Sequence, residues 1–384
     1  MASVSGRYAI AGIGETQVGR LPERSALSLR LEAAVNAIAD AGLSKQAIDG
    51  IIAHQPRRDP QPNYAAFLAD RLGIQPDYIN DISLGGSAAA SAVMSAVAAI
   101  EAGLCSTVLC VSGESQWSSR GQPSHGRLGT PGASFRMPFG AGGAPIEYGL
   151  AAKRHMHEYG TTSQQFGAIA VACRGHACLN PNAQMRTPIS IEDHQSSRMI
   201  AEPFHLLDCS LVSDGAGALI VTSAERAREL RNPPAYVLGM GTACRFGEAA
   251  YSPCLTTVAG KEAASRAFAM AGLGPADVDL AELYDCFTYT VLVTLEDYGF
   301  CRKGEGGAFV EDGRIELGGQ LPVNTHGGLL SQAHVGGMLH ITEGVTQIRH
   351  QAGERQVQGA QVAAVSGQCG ELGIHATLLL GASN

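Results

Sequence analysis

Residues 83–112 read SLGGSAAASAVMSAVAAIEAGLCSTVLCVS, and this stretch decides the fold class. Gly85 and Gly86 mark a turn, because glycine adopts backbone conformations that a Cβ forbids. From Ala88 to Ala102 nearly every residue is small or apolar and none is glycine or proline, which predicts a helix able to lie close against neighbouring backbone on every side. Ser106–Ser112 then reads as a short apolar strand. An all-round buried helix followed by a strand buried on both faces belongs inside a layered α/β protein.

The alternation continues in both directions from that centre. Before it, strands are expected at Arg7–Gly12 and Ile48–Ala53, with an amphipathic helix at Ala26–Ala41. After it, Gly113–Gly149 is rich in glycine, proline and serine, carries the single Trp117, and is too long for an ordinary connection. Helices are expected at Ala151–Tyr159 and Ser163–Asn180, and a strand at Gly215–Thr222. Beyond Pro233-Pro234 the order starts again: strands near Ala235–Gly239 and Leu280–Leu283, helices at Lys261–Ala271, after Phe287 and at Val335–His350, then strands at Gln361–Ser366 and Ile374–Leu380. The repeated order of elements predicts two copies of one layered unit, with halves at residues 1–233 and 234–384. A chain of 384 residues has the length for this.

Composition narrows the function classes. Hydrophobic residues make up 45% and charged residues 16%, the profile of a globular chain. The net charge of −8, without any run of lysine or arginine, argues against nucleic acid or an anionic membrane surface as the main partner. No window approaches the roughly 18–20 uninterrupted apolar residues of a membrane span, and Met1–Ile13 does not read as a leader, so a cytoplasmic protein is expected. The ten cysteines are scattered without paired ligand spacing, which predicts reduced thiols and no metal site.

Four junctions carry candidate chemistry. Ser83–Ser87 can present backbone N–H groups around Gly86 to an oxyanion, or simply close a tight turn. Tyr284-Asp285-Cys286-Phe287 places a phenol, a carboxylate and a thiol in a row, although Asp285 can equally cap the next helix and Cys286 can be core. His334, in NTHGGLLSQAH, is expected at a helix start, where the dipole would keep it neutral. Ser366-Gly367-Gln368-Cys369-Gly370 offers a glycine turn and a thiol between the last two strands.

Taken together these stretches resemble the thiolase superfamily, and within it the sterol-carrier-protein and lipid-transfer-protein type. The landmarks are GGSAAASAVMSAVAAIEAG, RGHACLNPNAQ (174–184), PFHLLDCSLVSDGAGALIVTS (203–223), GLGPADVDLAELYDCF (272–287) and NTHGGLLSQAHVGG (324–337). The resemblance implies a duplicated α/β thiolase fold, five-layered α-β-α-β-α, with an inserted loop domain at about 113–203. It also implies a homodimer and a CoA thioester as substrate, with coenzyme A entering as part of the substrate and no permanently bound cofactor.

Position by position, the resemblance puts Gly86 where a thiolase has its acyl-accepting cysteine. The second thiolase cysteine aligns with Gly367, two residues before Cys369. The histidine of the family's Gly-His-Pro motif aligns with His334, and an asparagine or histidine of the family aligns with Tyr284. Without the first cysteine no acyl-enzyme can form at that position. What remains, His334, Tyr284 and a backbone pocket at Gly86 and Gly367, implies retro-aldol or aldol chemistry on a β-hydroxyacyl-CoA. Members of this kind pair with a zinc-ribbon/OB-fold subunit of the DUF35 type, and commonly carry tyrosine where this chain has His334. Two alternatives stay open: acyl transfer through Cys369 or Cys286, with Asp285 as a further acid/base candidate, and a non-catalytic acyl-CoA or lipid-binding subunit.

Overall fold

A computed structural model describes residues 4–57, 61–120, 131–247 and 251–384. The first half runs β1 (Tyr8–Glu15), α1 (Ala26–Ala41), β2 (Gly50–His54), α2 (Tyr64–Leu72), β3 (Tyr78–Ile82), α3 (Ala88–Glu101) and β4 (Thr107–Ser115). A helical insertion follows: α4 (Pro131–Arg136), α5 (Ala144–Tyr159), α6 (Ser163–Leu179), α7 (Ile191–Ser196) and the small pair β5 (Met199–Ala201) and β6 (Phe204–His205). The chain returns through β7 (Asp214–Ser223) and α8 (Ala224–Ala227). The second half comprises β8 (Ala235–Cys244), α9 (Gly260–Ala271), β9 (Leu280–Glu282), α10 (Thr288–Tyr298), α11 (Gly306–Phe309), α12 (Gly328–Ser331), α13 (Met338–Ile348), β10 (Val362–Cys369) and β11 (Ile374–Gly381).

Strand order is β3-β2-β4-β7-β1-β8-β11-β10-β9. The two half-sheets meet only where Ala9 pairs with Tyr236 and Ile10 with Ala235, so hydrogen bonding passes from one to the other through a short seam. Helices α3 and α13 lie between the half-sheets, and every residue of α13 except Thr346 is buried. Along β4, Val108 and Cys110 face this middle layer while Leu109 and Val111 face α1 and α2 on the outside. The period of two thus feeds two cores from one strand, which is why the strand reads as continuously apolar. With α9 and α10 covering the second half-sheet, the order is helix, sheet, helix, sheet, helix, the five layers that the sequence resemblance implies.

The structure supplies a residue-level match between the halves that the sequence pattern alone did not reveal. A Cβ on Gly12 or Gly14 of β1 would run into the backbone of α1 at Ala37 or Ala33. A Cβ on Gly239 or Gly241 of β8 would run into α9 at Ala267 or Ala263. The same Gly-x-Gly device lets the first helix of each half lie directly on its strand.

Several expectations shift. Neither α2 nor β3 was expected; β3 is an edge strand that carries Asn80 and Asp81 and exposes alternate residues, so its apolar signal is weak. The segment expected as irregular over 113–149 holds the end of β4, α4 and the start of α5, because Pro145 sits in the first turn, where a missing N–H costs nothing. Residues 121–130 of it lie outside the described residues. The last helix begins at Met338 rather than Val335, since Gly336 and Gly337 have φ of 92° and 82°. No helix among the described residues is long and apolar enough to cross a membrane.

One pH effect follows from the core. His375 of β11 is fully buried against Tyr298, 2.8 Å away, and burial pushes its pKa down to about 3. The unfolded chain therefore binds this proton first, and stability is lost as pH falls below about 6.5. Thermal melts should show Tm falling between pH 6.5 and 4.5, with a shallower slope in His375→Gln; an equal slope would remove this residue from the account.

Candidate active site

Three segments from both halves converge at the middle layer: the turn Gly85–Ser87 that opens α3, Tyr284–Phe287 after β9, and His334–Gly337 ahead of α13. Gly367 lies beneath them, within β10 and paired with Ala376, so the strand continues through the position where a turn was expected. A Cβ on Gly367 would stand 2.8 Å from the Gly86 carbonyl oxygen, which shows how tightly β10 backs the turn.

Tyr284 is 3% exposed and held from several directions. Its N–H donates to Ser366 Oγ at 2.8 Å, and its carbonyl accepts from Thr290 Oγ1 at 2.9 Å. Its ring stacks on His340, with centroids 6.0 Å apart, and meets His334 edge-on. Tyr284 Oη and His334 Nε2 are 3.0 Å apart. The other ring nitrogen of His334, Nδ1, is 3.1 Å from Ser210 Oγ, and the His334 N–H donates to Ser213 Oγ at 3.2 Å. Tyrosine, imidazole and serine therefore form one chain, with the half-buried histidine in the middle.

Burial, reinforced by Cys286, pushes the Tyr284 phenol far above its ordinary value. Burial also pushes His334 well below its ordinary value, and the charge of Arg57 adds to this. His334 is neutral as expected, but the cause differs: it precedes α13 by four residues, so desolvation and Arg57 act in place of a helix dipole. The pair rests with the proton on oxygen and the imidazole uncharged.

Asp285 does not reach this pair through its carboxylate. Oδ1 accepts from the Leu329 N–H at 2.8 Å and faces His340 Nε2 at 3.0 Å, while Oδ2 accepts from the Leu330 N–H at 3.2 Å. It caps α12, remote in sequence, rather than the helix that follows it. Burial raises its pKa, but His340 and the Leu329 N–H outweigh that and hold it below the usual value. A Cβ on Gly328 would collide with the carboxylate, so the glycine that opens α12 makes room for this contact. Cys286 is buried, and burial pushes its thiol up to about 12 despite a hydrogen bond with Tyr148. Cys369 ends β10 beside the turn; its sulfur would lie 2.5 Å from a Cβ on Gly85. Both nitrogens of His334 face oxygen, and neither faces a thiol.

Sequence reasoning singled out Tyr284, His334 and Gly86, and the structure brings these together. It missed Ser210, His340 and Arg57, and it named Ser366 only as part of the last glycine junction, without its bond to Tyr284. Ser210 lies within the quoted 203–223 landmark but in irregular backbone with no periodicity to flag it. His340 lies six residues after His334, on a helix whose buried positions also include Thr342, Glu343 and Gln347, so no single polar residue stood out against an apolar background.

Residues 241–382 match the family model described as thiolase C-terminal domain-like. The chain is 39% identical to the steroid side-chain-cleaving aldolase of Thermomonospora curvata, over 91% of this chain and 92% of that one. It is 40% identical to the 17-hydroxy-3-oxo-4-pregnene-20-carboxyl-CoA lyase of Mycobacterium tuberculosis, over 90% and 92%. Among solved structures it superposes on the Ltp2-ChsH2(DUF35) aldolase with a TM-score of 0.91 at 36% identity, covering 99% of both chains. The layered fold, the site at the junction of its halves and these relatives agree: the chain belongs to the thiolase superfamily, in its sterol-carrier-protein-type, aldolase-like branch.

Proposed function

We propose that the protein cleaves, or in reverse forms, a carbon–carbon bond of a β-hydroxyacyl-CoA by retro-aldol chemistry without an acyl-enzyme. The observation that carries this reading is the buried Tyr284 phenol, 3.0 Å from a neutral His334 and packed over a residue with no side chain, Gly86. The relatives named as an aldolase and as a CoA lyase support it.

In the forward direction Tyr284 Oη accepts the proton of the substrate's β-hydroxyl while its own proton passes to His334 Nε2. The Cα–Cβ bond breaks, a ketone or aldehyde leaves, and the electron pair remains on the thioester as an enolate. Backbone donors around Gly86 and Gly367 are assigned to that enolate, each well-placed donor contributing up to a few kcal/mol. The proton returns through Tyr284 to Cα, giving the shortened acyl-CoA and resetting the pair. Relaying the proton avoids an isolated phenolate, which burial disfavours. Asp285 and His340 are assigned to holding the Tyr284 ring rather than to proton transfer.

Ser210 is assigned to orienting the imidazole: with Nε2 accepting from the phenol, Nδ1–H donates to Ser210 Oγ, a hydroxyl able to accept it. A hydrogen bond of about 0.5–1.5 kcal/mol corresponds to a roughly 2–10-fold lower kcat in Ser210→Ala, with KM little changed. Steady-state kinetics check this, and an unaltered kcat would free Ser210 of the role.

A DUF35-type OB-fold partner is part of the proposal, supported by the Ltp2-ChsH2(DUF35) aldolase. A homodimer is supported by β3, an edge strand that leaves Ile79 48% exposed and is followed two residues on by the exposed Leu84. We place the protein in the cytoplasm, in keeping with ten cysteines none of which is in a disulfide. The test is incubation with β-hydroxyacyl-CoA esters, with and without such a partner, and chromatography of the products. A carbonyl product and a shortened acyl-CoA in equal amounts are expected; absence of both under every combination would overturn the reading.

A further inference from the structure

We propose that residues 86 and 284 form a single steric unit that selects the reaction type: the phenol of Tyr284 fills the space a side chain at residue 86 needs, so this tyrosine and an acyl-accepting thiol at 86 exclude each other. The inference rests on the aldol reading for what the phenol does, but the exclusion itself is a matter of geometry.

A Cβ built on Gly86 would lie far inside van der Waals contact with Tyr284 Cζ and Oη and with the Gln368 carbonyl oxygen. The phenol cannot swing aside cheaply. His334 holds its hydroxyl at 3.0 Å, and His340 stacks on one side of the ring. Gly337, at φ 82°, approaches so closely that its own Cβ would lie 3.2 Å from Tyr284 Cε2. Two departures that lie in different halves of the chain, a glycine at 86 and a tyrosine at 284, thus meet at one point in space. A thiol at 86 and a phenol at 284 compete for that point.

This arrangement predicts non-additive behaviour. The Gln368 carbonyl stands in the way of a Cβ at residue 86 whatever occupies 284, so its effect cancels when two backgrounds are compared. Thermal melts of Gly86→Ala should show a fall in Tm at least twice as large with Tyr284 present as in the Tyr284→Ala background. Equal falls would overturn the proposal. If Gly86→Ala fails to fold with Tyr284 yet folds in Tyr284→Ala, the proposal is supported; failure in both alike overturns it.

The chemical arm uses Gly86→Cys in the same two backgrounds, incubated with acetyl-CoA and followed by intact-protein mass spectrometry. The introduced sulfur attacks the thioester carbonyl carbon, the bond from that carbon to the CoA sulfur breaks, and CoA leaves with the proton the thiol gave up. Acetylation at least tenfold faster in Gly86→Cys/Tyr284→Ala than in Gly86→Cys is expected. Equal rates, or a faster single variant, would overturn the proposal. Neither arm depends on aldol turnover: if the unaltered protein cleaves no carbon–carbon bond while the coupling is present, the functional reading fails and the steric unit stands.

Discussion

Replacing Tyr284 with phenylalanine is expected to lower kcat for carbon–carbon cleavage by about 10²–10⁴-fold, the usual contribution of a positioned acid–base group. The substitution removes one oxygen. The ring keeps its stack on His340 and its place over Gly86, and the backbone keeps its bonds to Ser366 and Thr290. Folding and KM should therefore change little, and the loss should fall on the chemical step. Steady-state kinetics with a thermal melt as control check this; an unchanged kcat would remove Tyr284 from the proton path.

The second large effect concerns stability. Asp285→Ala should destabilise the fold by about 2–4 kcal/mol, since each buried donor left without its acceptor costs on the order of 1–3 kcal/mol. Asp285 is fully buried, and its loss leaves His340 and the N–H groups of Leu329 and Leu330 facing a void. Those groups set the position of α12 and of the imidazole on which Tyr284 lies, so activity should fall along with Tm. Denaturant unfolding measures the first, and a change under about 1 kcal/mol would mean that the carboxylate is replaceable.

Much of the fold was legible because buried elements carry strong patterns. The small-residue run of α3, the apolar β4 and the matching order in the second half point to layered units, and the structure adds the Gly-x-Gly contacts of β1 and β8. Of the elements not anticipated, most are short, such as α7, α8, α11 and the β5/β6 pair, while α2 and β3 lie at the sheet edge, where alternate side chains meet solvent and the apolar pattern thins. The site was legible residue by residue but not as an arrangement. Tyr284, His334 and Gly86 are visible as chemistry-bearing or conspicuously absent groups. That the phenol occupies the space of the missing side chain depends on backbone spacing of a few ångströms, which no local pattern encodes. Asp285 illustrates the same limit: a carboxylate near a helix start reads as that helix's cap, whereas the structure sends it to α12, brought alongside only by the folded second half.

In the proposed mechanism the protein breaks a carbon–carbon bond through a tyrosine–histidine proton relay and never holds its substrate covalently. The most direct test is intact-protein mass spectrometry during turnover of a β-hydroxyacyl-CoA, with released carbonyl product quantified in the same samples. The account predicts accumulating ketone or aldehyde alongside protein of unmodified mass at every time point. A protein population carrying the mass of an acyl group and labelled at Cys286 or Cys369, appearing and decaying at the rate of product formation, would contradict it.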